Sequence, residues 1–356
     1  MRARKIGHCL FCVIFFLLIL TPVVSMPWAD GRLAENRPPA PPPELFRDGS
    51  LNFSVPGEAE EYFKDRFGGR TQMIDAYSRL VGGLFGVSAN DRVVMGRDGW
   101  LFFAETMGDY DGSSALDDDE LDFLVSYLLG LSRMADERGQ VFLIAVAPNK
   151  NTIYGEFMHA RYRRDYRASN LDRLLMVEGL DIIDLSSSLL GVDELVYYKT
   201  DSHWNGLGSR IAAHEIMLAI EEKTGVKAGI DLAEGVAFDT IYITGDLGRM
   251  LFPASPPQES DRFYDDSKQG YSTVGRYRGL DDMNITTESG GAHLRVAMYR
   301  DSFADALIPY LSNAYSNVFY TRQSPPPMDN PAFLEADVII FQMAERRLGE
   351  ILGFWG

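Results

Sequence analysis

Leu294-Arg295-Val296-Ala297-Met298-Tyr299-Arg300-Asp301-Ser302-Phe303 is the stretch on which the fold turns. Leu294 to Met298 has the length and composition of a buried strand, and Phe303 to Ser312 reads as the helix that follows it. Ser302 therefore stands at the carboxyl end of a strand. Ligands of parallel sheets gather at that edge, where the first amides of the next helix point toward any oxyanion formed there. The plainer reading of Ser302 is a cap for the helix beginning at Phe303.

Outward from this junction the chain alternates strands with helices. Strands are predicted at Val318–Tyr320 and Val338–Phe341. Upstream, a helix opens on Asp117, Asp118 and Asp119, runs through Leu121, Leu124, Leu128 and Leu131, and stops at Gly139. A buried strand follows from Val141 to Val146, then a helix from Asn170 to Val177 and a short strand at Ile182 and Ile183. An amphipathic helix from Asn205 to Lys223 is ended by Gly225. This alternation predicts an α/β fold, a parallel sheet flanked by helices. The region 227–290, rich in Gly, Pro, Asp and Ser, breaks it and reads as an irregular, lid-like insertion. Earlier, Val93 to Phe103 has a hairpin pattern with Arg97-Asp98-Gly99 at its tip, and Glu58 to Leu84 reads as two helices parted by Gly68 and Gly69.

The amino-terminal part divides differently. In residues 1–25 the basic Arg2, Arg4 and Lys5 precede an apolar run from Cys9 to Leu20, the pattern of an export signal. Cleavage after the small pair Val23 and Ser25 and retention as an uncleaved membrane anchor both remain open. Residues 26–57 form a proline-rich arm through Pro38, Pro39, Pro41, Pro42 and Pro43, and 58–356 is the folded body. Both cysteines, Cys9 and Cys12, lie in the signal, so the exported part has no thiol for a disulfide, a nucleophile or a metal. With 51 acidic against 34 basic residues the net charge is −17, which disfavours nonspecific nucleic-acid binding.

Thr200-Asp201-Ser202-His203-Trp204-Asn205 supplies the other chemical feature. In extended backbone, residues two apart face one side, so the carboxylate of Asp201 reaches one nitrogen of His203 while the other faces a substrate. A serine nucleophile needs such a base. The imidazole takes its proton near neutral pH, and the carboxylate fixes the tautomer. The alternative is structural, with Asp201 capping the next helix and His203 solvated. No third residue stands at a spacing that would complete a metal site with this pair, and no cofactor is implied. Of the remaining histidines, His8 lies in the signal, His159 in a charged loop, His293 before a strand and His214 on the Leu207, Ile211, Leu218 stripe of a helix. His203 is the well-placed base.

The ordered stretches E-N-R-P-P from Glu35, Y-F-K-D-R-F-G-G-R from Tyr62, G-R-D-G-W-L-F from Gly96, A-P-N-K-N-T-I-Y from Ala147, D-S-H-W-N from Asp201, G-D-L-G from Gly245, D-S-F from Asp301 and A-E-R from Ala344 resemble the AlgX/AlgJ family of alginate O-acetyltransferases. The resemblance covers nearly the whole exported chain. It implies an SGNH-hydrolase-like domain in which Asp201, His203 and Ser302 form the triad. It also implies a circular permutation, because the serine motif of ordinary SGNH hydrolases comes first and here comes late. That rotation sets Gln342-Met343-Ala344-Glu345-Arg346 where those enzymes carry an oxyanion-hole Asn, so backbone amides near Ser302, with Arg346, are expected to serve instead. Asn149 is a second candidate donor, or a turn residue after Pro148.

By the same resemblance the reaction is transfer of acetyl groups to hydroxyls of a secreted polysaccharide in the periplasm, with a membrane-bound O-acyltransferase as the donor-side partner. The chain is closer to AlgJ-like members, which lack a carbohydrate-binding module. A carbohydrate acetylesterase using the same residues and a noncatalytic export scaffold are the rival readings.

Overall fold

The computed structural model describes residues 2–26, 39–47, 49–232 and 237–354. It divides into two compact units, Met1–Val93 with Asp246–Pro257, and Val94–Gly245 with Gln258–Gly356.

In the first unit, helix α1 (Arg2–Ser25) exposes its described apolar side chains from Leu10 to Leu20. Among the described residues no helix is long and apolar enough to cross a membrane. Of the E-N-R-P-P stretch only Pro39 falls among the described residues. The proline arm is held where Ala40 donates its N–H to Asp65 at 2.8 Å and accepts from Arg66 at 2.7 Å. Helices α2 (Val55–Arg66) and α3 (Arg70–Phe85) are parted at the two glycines, and Gly69 takes the left-handed φ of 75° that ends one helix and admits the next. Residues 246–257 join this unit because Asp75 and Arg79 of α3 both hydrogen-bond Ser255. The sequence placed the start of the folded body at residue 58, which lies in the first turn of α2.

The second unit is built on a seven-stranded sheet. Its strands are β1 (Val141–Ala147), β2 (Ile182–Ile183), β3 (Tyr271–Thr273), β4 (Asn284–Ser289), β5 (Ala292–Tyr299), β6 (Tyr315–Thr321) and β7 (Val338–Ala344). Their spatial order is β2-β1-β7-β5-β6-β4-β3. Five strands, from β2 across to β6, are parallel, and β4 and β3 extend the edge antiparallel. Thus two strands of the sheet come from the region 227–290, which the sequence read only as an insertion. Their apolar residues are too few and too scattered among Thr, Ser and Asn to announce a strand.

Alternation along the central strands sends side chains to two cores. On β7, Val338, Ile340 and Ala344 enter one core, and Ile339, Phe341 and Met343 the other. A parallel sheet covered on both faces requires this continuous apolar run. One face is covered by α4 (Asp118–Asp136), which buries Leu124, Leu128, Leu131 and Ala135 and begins in a capping box of Asp117 and Glu120. The other is covered by α5 (Gly206–Thr224), closed by Gly225 at φ 71°. Its buried face is Ala212, Ala213, Ile216, Met217 and Ile220; of the predicted stripe, Leu207 and Ile211 pack against the same core, while Leu218 is 45% exposed. The small alanines let α5 lie close on the sheet.

The predicted helix from Phe303 is instead a 3₁₀ turn, Ser302–Ala306, followed by α6 (Ile308–Ala314). Pro309, which has no N–H to give a helix interior, sits in the first turn of α6, where that donor would have no partner anyway.

Read from β5 to the carboxyl terminus and then from β1, the parallel strands lie in the order 2-1-3-4-5, the doubly wound succession. The order reverses beside β5, so Ser302 lies at the topological switch point.

Leu128 is fully buried against β1 and β7. We expect Leu128→Ala to lower the free energy of unfolding by about 2–5 kcal/mol through lost burial and a residual cavity, measured by urea denaturation.

Candidate active site

Asp201 and His203 occupy a tight hairpin that leads into α5. Tyr197 pairs with Trp204 across it, and the N–H of Asn205 reaches the carbonyl of Val196 at 3.0 Å. Inside the hairpin, Asp201 Oδ1 accepts the backbone N–H of His203 at 2.9 Å and lies 2.7 Å from His203 Nδ1. The other ring nitrogen, Nε2, is 2.9 Å from Ser302 Oγ. With 29% of the His203 side chain and 14% of that of Asp201 exposed, the imidazole reaches solvent while the carboxylate lies behind it.

Neither Asp201 nor Ser302 serves as a helix cap. Asn205, and not Asp201, caps α5 by accepting from Gly208 N–H at 2.9 Å. Asp301, and not Ser302, caps the 3₁₀ turn by accepting from Phe303 N–H at 2.9 Å.

Asp301 does more than cap. Its carboxylate also accepts from Gln342 Nε2 at 3.0 Å and from Ala344 N–H at 2.7 Å, and its own N–H donates to Gln342 Oε1 at 3.0 Å. This reciprocal clasp, with Asp301 5% and Gln342 0% exposed, ties the residue before Ser302 to the end of β7. Arg300 and Asp305 form an ion pair that brackets the same turn from both sides of Ser302. The sequence reading passed over Gln342 as a site residue. Its signal was a polar side chain in the otherwise apolar β7, since a buried amide needs partners.

The two loops meet through Phe303 and Trp204. Trp204 Nε1 donates to Phe303 O at 3.1 Å, their rings meet edge to face at 5.0 Å, and the His203 ring lies 4.9 Å from that of Phe303.

The expected oxyanion donors fare differently. The Phe303 N–H is taken by Asp301. Arg346 lies with its guanidinium 5.4 Å from the Phe303 ring centroid and 5.3 Å from that of Phe103, which places its charge beside the residue following Ser302. Asn149 goes elsewhere. Its N–H donates to Glu345 Oε2 and its side-chain amide to Asp109 Oδ2, each at 2.7 Å, so it belongs to a buried carboxyl cluster completed by Thr152 Oγ1. Burial raises Glu345 to about 7, opposed by the hydrogen bonds from Asn149 and Thr152, and raises Asp109 to about 6, opposed by Asn149 and the charge of Arg346.

A hydroxyl, an imidazole and a carboxylate in series at the switch point of this permuted sheet mark a protein of the SGNH-hydrolase-like class. Residues 93–265 match the family model described as SGNH hydrolase-like domain, acetyltransferase AlgX. Through this stretch, just under half of its length, the chain is similar to the AlgX family. It is 24% identical over 216 residues to the probable alginate O-acetylase AlgJ of Pseudomonas syringae pv. tomato, a match covering 58% of this chain and 52% of that protein. The probable alginate O-acetylase AlgJ of Pseudomonas aeruginosa is 29% identical over 140 residues, covering 36% and 33%. The chain thus spans about half the length, or less, of the curated relatives it matches. The solved structure of Bacillus cereus PatB1 shares the fold with a TM-score of 0.57 at 17% identity, covering 72% of this chain and 96% of that one.

The raised carboxyl of Glu345 makes stability depend on pH. In the native protein it keeps its proton where the unfolded chain has lost it. Its contribution is therefore full below about 4.5 and is lost as pH rises through about 7. In urea titrations across that window, the wild type should lose more stability with rising pH than Glu345→Gln, which carries no titrating proton.

Proposed function

We propose that this chain is an O-acetyltransferase that moves acetyl groups onto hydroxyls of a secreted polysaccharide through an acyl-enzyme on Ser302. The observation that carries this reading is the series from Ser302 Oγ to His203 Nε2 at 2.9 Å and from His203 Nδ1 to Asp201 Oδ1 at 2.7 Å. The names of the AlgJ relatives support acetyl as the group and a polysaccharide as the acceptor.

In the first half-reaction His203 Nε2 removes the Ser302 proton as Oγ attacks the acetyl carbonyl carbon of the donor. The leaving group departs with that proton, and the acetyl remains as an ester on Ser302. In the second half an acceptor hydroxyl gives its proton to His203 and attacks the ester. Ser302 Oγ leaves and recovers the proton. Asp201 holds the imidazole in the tautomer that presents Nε2 as the base and stabilises the cation formed in each half. The tetrahedral oxyanion of both halves is stabilised by the guanidinium of Arg346, the cation beside the nucleophile's turn.

On this reading the chain is exported to the periplasm by its amino-terminal segment, and a membrane-bound O-acyltransferase supplies the donor side. An acetylesterase would share every residue and differ only in the acceptor.

Mass spectrometry after exposure to an aryl acetate should find an acetyl group on the peptide containing Ser302. Ser302→Ala should lack it and lose at least about 10³-fold in turnover. With an oligosaccharide present the acetyl should appear on sugar. Its appearance in water alone would assign the esterase, and full polymer acetylation by Ser302→Ala would remove the serine from the mechanism.

A further inference from the structure

We propose that Lys150 and Glu259 are positioning residues that clamp the backbone bearing Asp201 from opposite sides, with Gly245 closing the clamp. The proposal rests on the reading that Asp201 and His203 serve Ser302.

Lys150, from the A-P-N-K-N stretch, is 3% exposed. Its ammonium lies over Phe102 and Trp100, 5.3 and 5.7 Å from their ring centroids. Its protons reach three carbonyls of one loop, Tyr198 O and Lys199 O at 3.1 Å and Asp201 O at 2.6 Å. An ammonium has three donors, and burying it is costly unless they are satisfied. An apolar side chain would fill the same space without that cost, so packing does not account for a lysine here.

Glu259 takes the complementary groups. Its carboxylate accepts the N–H of Lys199 and the N–H of Thr200, each at 2.7 Å, and the hydroxyl of Thr200. The carbonyls of Tyr198, Lys199 and Asp201 thus face a cation and the amides of Lys199 and Thr200 an anion. Rotating a peptide of this loop would turn a carbonyl toward the carboxylate and an N–H toward the ammonium, which both charges oppose. Gly245, which opens the G-D-L-G stretch, seals the arrangement. A Cβ there would lie 2.1 Å from Thr200 O and 2.7 Å from Asp201 N, so the loop keeps its place only against a glycine.

What the clamp sets is the direction of the Asp201 carboxylate. That group spans both the His203 N–H and Nδ1 within hydrogen-bond distance, so a small rotation of its backbone breaks one contact. Misplacement of catalytic groups by about 1 Å costs on the order of 10²-fold in rate. Two residues quoted for family resemblance, Lys150 and Gly245, together with Glu259, thereby share one task.

The test uses the full chain with Lys150→Met, Glu259→Gln and the double variant, each checked for folding by circular dichroism. We expect either single change to lower kcat for aryl-acetate turnover by about 10- to 100-fold with little change in KM. The hydrogen-bonded Nδ1 proton of His203, followed by NMR, should broaden or disappear in both. The double variant should be no worse than the poorer single one, because both act on one loop. Folded single variants with kcat within about twofold of wild type and the Nδ1 proton intact would overturn the clamp, as would losses that multiply in the double variant. Should Lys150→Met not fold, Glu259→Gln preserves volume and carries the same readouts, with Gly245→Ala as an independent displacement of the loop. If Ser302→Ala keeps activity, the triad reading fails, and the Nδ1 proton alone then decides the clamp.

Discussion

The contact between Trp204 and Phe303 holds the site together. Each residue directly follows a chemical group, His203 in one case and Ser302 in the other, and each is almost wholly buried. The indole N–H has one donor and finds it satisfied by the Phe303 carbonyl. Breaking that bond inside the core would leave a polar group without water, so the two loops are locked in register by the same burial that stabilises the fold. His203 and Ser302 meet as a consequence of packing one residue further on.

Polar groups around this contact are disposed in shells. Asp301 and Gln342 fix the turn of Ser302 to the end of β7, while Lys150 and Glu259 bear on the loop of Asp201. The buried carboxyls of Glu345 and Asp109 share Asn149, and the charge of Arg346 acts on Asp109. Buried charge is expensive, and its concentration at the carboxyl edge of the sheet distinguishes this rim from the apolar cores beneath it. The geometry of the site is maintained by many hydrogen bonds to backbone, which constrain direction as well as distance.

The permuted connectivity leaves this arrangement untouched. Strand order, and not chain order, decides which loops share a rim, and the doubly wound order places the loop after β5 at the reversal point wherever the termini fall. His203 reaches the same rim from the loop between β2 and α5, at the opposite flank of the parallel strands.

Much of this was legible before any coordinates. Apolar runs and their alternation marked β1, β5, β6 and β7 together with α4 and α5, because a strand buried on both faces and a helix buried on one leave periodic signatures. The junction at Ser302 and the Asp201–His203 spacing were local patterns of the same kind. What tertiary structure alone decided was which neighbouring residue took each cap, that the helix after Ser302 begins as a 3₁₀ turn, and that β3 and β4 join the sheet. It also decided that Asn149 turns to Asp109 while Arg346 turns to Phe303. Periodicity records burial along one segment. Polar partners are chosen by geometry between segments far apart in the chain, and no local pattern carries that information.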